Sequence, residues 1–145
     1  MKKLSIAILC LLFVMLISLS ACVNSLGQLP YGKWESHKPY ILLDINPQNE
    51  EFLGICIQEE EQIDVLITFP FLWKEFDIYK LSDKDSLLEP DSYKLALFNG
   101  SYRIRGDKLH YKLKPYWQEK SGVTHTIVFT KIEEYEAPDP KDDPN

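Results

Sequence analysis

The stretch YKLALFNGSYRIRGDKLHYKLK, residues 93–114, contains two residue pairs that favour tight β-turns. Asn99-Gly100 is typical of a type I′ turn, whose two central residues both need a positive φ. Gly106-Asp107 has glycine first, which suits a type II′ turn. Together the two turns predict three antiparallel strands with one dry face. The predicted cross-strand rows on that face are Leu95, Ile104 and Leu109, followed by Leu97, Tyr102 and Tyr111.

Alternating apolar residues continue through much of the chain and predict further short strands. These rows are Ile41, Leu43 and Ile45; Leu53, Ile55 and Ile57; and Ile63, Val65, Ile67 and Phe69. A last strand is predicted over 123–132. We therefore predict an all-β, antiparallel up-and-down meander of about eight strands. Closure into a barrel would remove its free edges, and a β-sandwich is the alternative.

Residues 1–21 are predicted to form a targeting segment rather than part of the fold. Two lysines precede an apolar run over 6–19, which is typical of a secretory signal. The run ends in Leu19-Ser20-Ala21-Cys22, which resembles the lipobox of bacterial lipoproteins. The resemblance implies that the signal, residues 1–21, is cleaved and that Cys22 carries a diacylglycerol thioether. The lipid would hold the protein on the extracytoplasmic face of the cell membrane.

Composition divides the rest of the chain into three parts. Residues 22–30 form a short tether, 31–136 a single β domain, and 137–145 an acidic, proline-rich tail that we expect to be disordered. Without residues 1–21 the chain has 14 Lys and Arg against 22 Asp and Glu. This acidic balance argues against nucleic acid as a partner. Cys56 has no partner cysteine within the domain, so packing alone, without a disulfide, must stabilise the domain.

A second resemblance concerns the start and the end of the domain. Gly32-Lys33-Trp34 is similar to the Gly-x-Trp signature of lipocalin-like barrels. In that family a basic residue on the last strand packs over the Trp ring, and Lys131 is at the matching position. The resemblance implies a barrel that binds a small hydrophobic or amphipathic molecule.

Two groups of residues are candidate binding sites. The first is a basic sheet face, which is either an ordinary solvated surface or a surface for anionic lipid headgroups or wall polymers. Its members are Arg103, Arg105, Lys108 and Lys112. The second is an aromatic group, which either plugs the core or forms a portal for a ligand or a partner. Its members are Phe71, Trp73, Phe76, Tyr102 and Tyr111.

Catalytic and metal sites find no support in the sequence. The histidines at 37, 110 and 125 lack the convergent spacing of a zinc site, and lysines surround two of them. We expect no catalytic residues, no metal, no cofactor and no enzymatic activity. The leading hypothesis is an envelope lipoprotein that binds a small hydrophobic or amphipathic ligand. The alternative is a protein-interaction module, such as an assembly factor, an inhibitor or an immunity lipoprotein.

Overall fold

Eight antiparallel strands form one closed barrel in sequence order in the computed structural model, which describes residues 29–70 and 74–136. The strands are β1 Gly32–His37, β2 Tyr40–Ile45, β3 Phe52–Gln58, β4 Glu61–Thr68, β5 Glu75–Lys80, β6 Phe98–Arg105, β7 Lys108–Leu113 and β8 Ile127–Glu133. Two 3₁₀ helices, Leu81–Leu88 and Ser92–Leu95, and the helix α1, Pro115–Ser121, complete the structure. The prediction of an all-β up-and-down barrel is confirmed. The signal, Cys22 and the tail lie outside the described residues.

Pairing between the first and the last strand closes the barrel. Glu35 lies opposite Thr130, and Trp34 lies opposite Lys131, with an irregular register next to Lys33. The Nζ atom of Lys131 lies 4.9 Å from the centre of the Trp34 ring, which confirms the predicted cation–π contact. The Trp34 Nε1 atom donates a hydrogen bond to the Pro30 carbonyl oxygen at 2.8 Å. This fully buried indole therefore ties the start of the chain to the closing strand.

Large side chains fill the interior of the barrel. Alternate residues of each strand point inward, and the largest of them are almost completely buried. They include Trp34, Leu43, Phe76, Phe98, Tyr111 and Phe129. Phe76 and Tyr111 stack with their ring centres 4.0 Å apart, and the Tyr111 hydroxyl donates to the Phe76 carbonyl oxygen at 2.8 Å. Cys56 is buried among them, and burial raises the pKa of its thiol to about 11.

The predicted turn at Asn99-Gly100 is wrong. Both residues lie inside β6, and the segment before them contains the 3₁₀ helix Ser92–Leu95, so Leu95 does not belong to a strand row. The Asn99 amide instead donates a hydrogen bond to the carboxylate of Asp77. Gly100 is required by close packing, because a Cβ atom there would overlap the carbonyl oxygen of Lys112. Contacts between strands, not turn formation, account for this pair.

The predicted turn at Gly106-Asp107 is confirmed. Gly106 has φ +59°, and the flanking pairs are Arg105 with Lys108 and Ile104 with Leu109. The next pair on the dry face is Tyr102 with Tyr111, as the sequence predicted. The sequence therefore predicted the register of β6 with β7 correctly. It did not predict the pairing on the other side of β6, because the turn at Asn99-Gly100 does not exist.

The two ends of the barrel differ. At the N-terminal end, where β1 begins and β8 ends, the connections after β2, β4 and β6 contain no helix among the described residues. At the helical end, the 3₁₀ helices and α1 lie against the barrel, and the Trp117 Nε1 atom donates to the Ala96 carbonyl oxygen at 3.3 Å. No helix in the described part of the chain is long and apolar enough to cross a membrane.

Candidate anion-binding groove

A groove with a volume of about 670 Å³ lies on the outer wall of the barrel. It crosses β5, β6 and β7. The charged residues that line it are Lys74, Glu75, Arg103, Arg105 and Lys112, and His110 lines it beside them. We call this feature the cationic groove. Its volume lies within the range of small-ligand sites in proteins, about 300–1,000 Å³.

Strand register brings these side chains together. Arg103 pairs with His110 across β6 and β7, and Ser101 pairs with Lys112. Directly opposite residues of antiparallel strands have their side chains on the same face, with Cβ atoms about 5 Å apart. On the other side of β6, Ser101 pairs with Glu75 of β5. Residues that are far apart in sequence therefore form one continuous charged surface.

Four cations of the cationic groove have no carboxylate partner. The only acidic residue lining it is Glu75, and its carboxylate binds the Lys114 Nζ atom at 2.8 Å. Among residues 29–70 and 74–136, no ion pair includes Lys74, Arg103, Arg105 or Lys112. Because like charges close together repel one another, an anion that binds between them relieves repulsion as well as gaining attraction.

Charge is unevenly distributed along the chain. Residues 93–132 contain eight Lys and Arg against two Asp and Glu, whereas 31–92 contain five against fourteen. The last three strands and most of the residues that line the cationic groove belong to the basic segment, whereas Lys74 and Glu75 precede it. An overall acidic protein thus presents a local positive surface, which attracts anions at short range despite the negative net charge.

The structure separates the residues predicted for the basic face. Arg103, Arg105 and Lys112 line the cationic groove. Lys108 does not line it. The Lys108 Nζ atom donates to the Thr130 hydroxyl at 2.8 Å and lies 3.9 Å from the Asp107 carboxylate. Lys108 is therefore engaged with its own turn and the neighbouring strand.

The aromatic group predicted as a binding site is also divided. Tyr102 lines the cationic groove, whereas Phe76 and Tyr111 stack inside the barrel. Phe71 and Trp73 lie outside the described residues. Tyr102 contacts Phe69 and Phe76 with ring centres 6.1 and 5.6 Å away, so it joins the wall of the groove to the aromatic interior.

Two charged residues of the cationic groove were not predicted from the sequence. Lys74 and Glu75 lie at the start of β5, about 25 positions before Ser101. A single basic residue next to a single acidic one carries no signal of its own. Only the pairing of β5 with β6 shows that they belong to the same surface as Arg103.

A buried polar cluster lies beside the cationic groove, on the outer face of β5 and β6. Asp77 accepts hydrogen bonds from the Asn99 amide and, at 3.3 Å, from the Tyr79 hydroxyl. Burial raises the pKa of the Asp77 carboxyl, and it raises the pKa of Tyr79 to about 12. The Asn99 Oδ1 atom has no hydrogen-bond partner among the described residues. The cluster is polar but closed, because all three side chains are less than 10 % exposed.

A smaller cavity of about 220 Å³ lies at the N-terminal end of the barrel. Ile104 of β6 lines it together with Glu134 and Tyr135, which follow β8. Lys131 also lines it, but its Nζ atom lies over the Trp34 ring and 3.3 Å from the Glu134 carboxylate. This cavity therefore offers no uncompensated charge.

Within the described residues, no group of three or more His, Cys, Asp or Glu side chains is arranged to hold a metal ion. Comparison with known families, curated proteins and solved structures found no match. A barrel is a fold that is compatible with ligand binding. The cationic groove presents exposed positive charges, which suit the binding of an anion.

Proposed function

We propose that this chain is a lipid-anchored protein of the cell envelope that binds an anionic, amphipathic ligand in the cationic groove. The observation that carries the proposal is a groove of ligand size with four cations that form no ion pair within residues 29–70 and 74–136. The lipobox-like sequence at Cys22 supports the anchor. Binding would be non-enzymatic, because the groove presents charge and no nucleophile paired with a base.

The filled interior favours the outer wall as the binding site. A lipocalin-like barrel that encloses its ligand needs an open interior, whereas here rings and branched side chains occupy it. Phe76, Phe98, Tyr111 and Phe129 are each no more than 1 % exposed. Displacing such side chains would lose several kcal/mol of packing, about 3–5 for a single large aromatic.

The position of the tether favours a ligand at the membrane surface. The chain reaches β1 at the N-terminal end, where the turn Gly106-Asp107 and Lys74 also lie. The nine residues of the predicted tether span at most about 30 Å. An anchored barrel can therefore bring the cationic groove to the headgroups of the same membrane, where each Lys or Arg contributes about 1 kcal/mol.

Vesicle binding by residues 23–145, without the lipid anchor, tests this proposal. We expect binding to phosphatidylcholine vesicles that contain phosphatidylglycerol, weaker binding at high salt, and none to phosphatidylcholine alone. The double variant Arg103→Ser/Lys112→Ser should bind about 30-fold more weakly, since it loses two contributions of about 1 kcal/mol. The control Lys38→Ser/Lys80→Ser removes the same charge outside the groove.

The two double variants decide the outcome. If both reduce binding equally, only net charge matters and the groove is not the site. If phosphatidylglycerol and salt have no effect on the wild type, anion binding at this surface is excluded. A melting curve of each variant shows that the folded barrel is what is being compared.

A further inference from the structure

The described chain ends close to the cationic groove. After β8 the chain continues to Glu136, the last described residue. Glu134 and Tyr135 border the small cavity at the N-terminal end, and Ile104 borders the same cavity from β6. Ile104 lies between Arg103 and Arg105, which line the cationic groove. One small cavity therefore separates the end of the described chain from the strand that carries the groove.

The residues beyond this point are acidic. Residues 137–145 contain Asp139, Asp142 and Asp143 against a single Lys141. Asp143 is seven positions after Glu136, and an extended chain of that length reaches about 25 Å at most. Because β7 alone lies between β8 and β6, these two strands are about 10 Å apart along the wall, so Asp142 and Asp143 can reach the outer wall at β6.

Cations closer to the chain end already have carboxylate partners. Lys33 binds Glu133 at 2.9 Å, Lys131 binds Glu134 at 3.3 Å, and Lys108 lies 3.9 Å from Asp107. In the described part of the chain, the cations without such partners near this end are those of the cationic groove. Opposite charges at short separation attract by about 1 kcal/mol or less for each exposed pair.

We propose that the acidic segment 137–145 occupies the cationic groove of its own chain when no anionic ligand is bound. The segment then competes with the ligand, so that only a surface of high anionic charge displaces it. Because the segment is joined to the barrel, its effective concentration at the groove is in the millimolar range. This inference rests on the proposed function, since it assigns a competitor to the same site.

Neutralising the segment tests the competition. The triple variant Asp139→Asn/Asp142→Asn/Asp143→Asn should bind vesicles with phosphatidylglycerol about tenfold more tightly than the wild type, because up to three weak pairs no longer compete. The control Glu59→Gln/Glu60→Gln/Glu61→Gln removes three charges at an exposed turn of the helical end. Both variants change the net charge equally, so the difference between them isolates the position of the charges.

Chemical cross-linking tests the contact without any ligand. A carbodiimide joins a lysine amine to a carboxylate in direct contact. We expect the wild type to give an intramolecular link from Lys112 or Lys74 to an aspartate of 137–145, identified by mass spectrometry. The link should weaken at high salt and be absent in the triple variant, while the control variant keeps it.

The outcomes separate this inference from the proposed function. If the triple variant and the control bind vesicles equally and no link to the groove forms, the inference is overturned, while vesicle binding that needs Arg103 and Lys112 still supports the anion site. If no form binds anionic vesicles, the proposed function fails. The cross-link then decides the contact of the segment with the groove by itself.

Discussion

The inside and the outside of this barrel are built on different physical principles. Inside, aromatic and branched side chains pack without charge, and the largest of them, Trp34, is completely buried. Outside, the cationic groove contains four exposed cations that have no carboxylate partner in the described part of the chain. The interior supplies stability and leaves no room for a ligand, while the wall contributes little to stability and offers a binding surface. The position of the cavity, not the type of fold, therefore determines where binding should be sought.

Truncation of the Trp34 side chain should have the largest effect on stability. Trp34→Ala removes the packing under Lys131 and the hydrogen bond to Pro30, and we expect a loss of about 3–5 kcal/mol in the free energy of unfolding. Urea unfolding of residues 23–145 measures it. An unchanged midpoint would contradict the role of Trp34 in closing the barrel. The matched variant Tyr116→Ala, at an exposed ring, should change the midpoint little.

A methyl group at Gly100 should have the next largest effect. The new Cβ atom would overlap the Lys112 carbonyl oxygen, and because this is a backbone atom the strands themselves must move. We expect Gly100→Ala to cost about 1–3 kcal/mol. Gly106→Ala is the comparison: its Cβ atom meets nothing within 4 Å, so only the positive φ opposes it, at about 1 kcal/mol. Equal costs would show that packing between β6 and β7 is not tight.

Replacing the two residues of the turn between β3 and β4 should stabilise the folded protein. Glu59 and Glu60 have φ values of 50° and 68°, which side chains other than Asn and Gly adopt at a cost. Glu59→Asn/Glu60→Gly should raise the free energy of unfolding by about 1 kcal/mol. The variant Glu59→Gln/Glu60→Gln keeps the strain and removes only the charge. If both variants stabilise equally, charge repulsion rather than backbone conformation is responsible.

The smallest expected effect concerns the buried carboxyl of Asp77, which is the polar exception beside the groove. Burial raises its pKa above the ordinary value of 3.8, so the folded state binds the proton more tightly than the unfolded state. The stability due to this proton is complete below pH 3.8 and is lost as the pH rises through the raised value. Subtracting the pH profile of Asp77→Asn from that of the wild type isolates this effect. If the wild type instead gained stability relative to Asp77→Asn as the pH rises, the raised pKa of Asp77 would be contradicted.

The sequence predicted local features of both regions. Strict alternation of apolar residues predicted the strands, and the pair Gly106-Asp107 predicted the register of β6 with β7. The same alternation placed Arg103, Arg105 and Lys112 on one outward face, where they line the cationic groove. These predictions succeeded because each depends on residues a few positions apart, for which backbone geometry fixes the relative direction of side chains.

The pair Asn99-Gly100 shows where this reasoning fails. A glycine after an asparagine suits a tight turn, and a glycine also suits a strand whose backbone lies close to another strand. The local sequence therefore cannot distinguish these two structures. The strand is stabilised by long-range contacts: Asn99 binds Asp77, 22 positions away, and Gly100 packs against Lys112, 12 positions away. Glu59-Glu60 is the opposite case, because the short connection between two paired strands forces a turn on residues that do not favour it.

The sequence by itself determined that this chain forms a meander of short strands with a basic outer face, while the resemblance to lipocalin-like barrels predicted the contact of Lys131 with Trp34. Only the tertiary structure decided that the interior is filled, that Lys74 and Glu75 complete the cationic groove, and that Glu75 is neutralised by Lys114. The physical reason is the range of the interactions. Strand periodicity is a local property of the backbone, whereas packing volume and ion pairing depend on which strands become neighbours when the barrel closes.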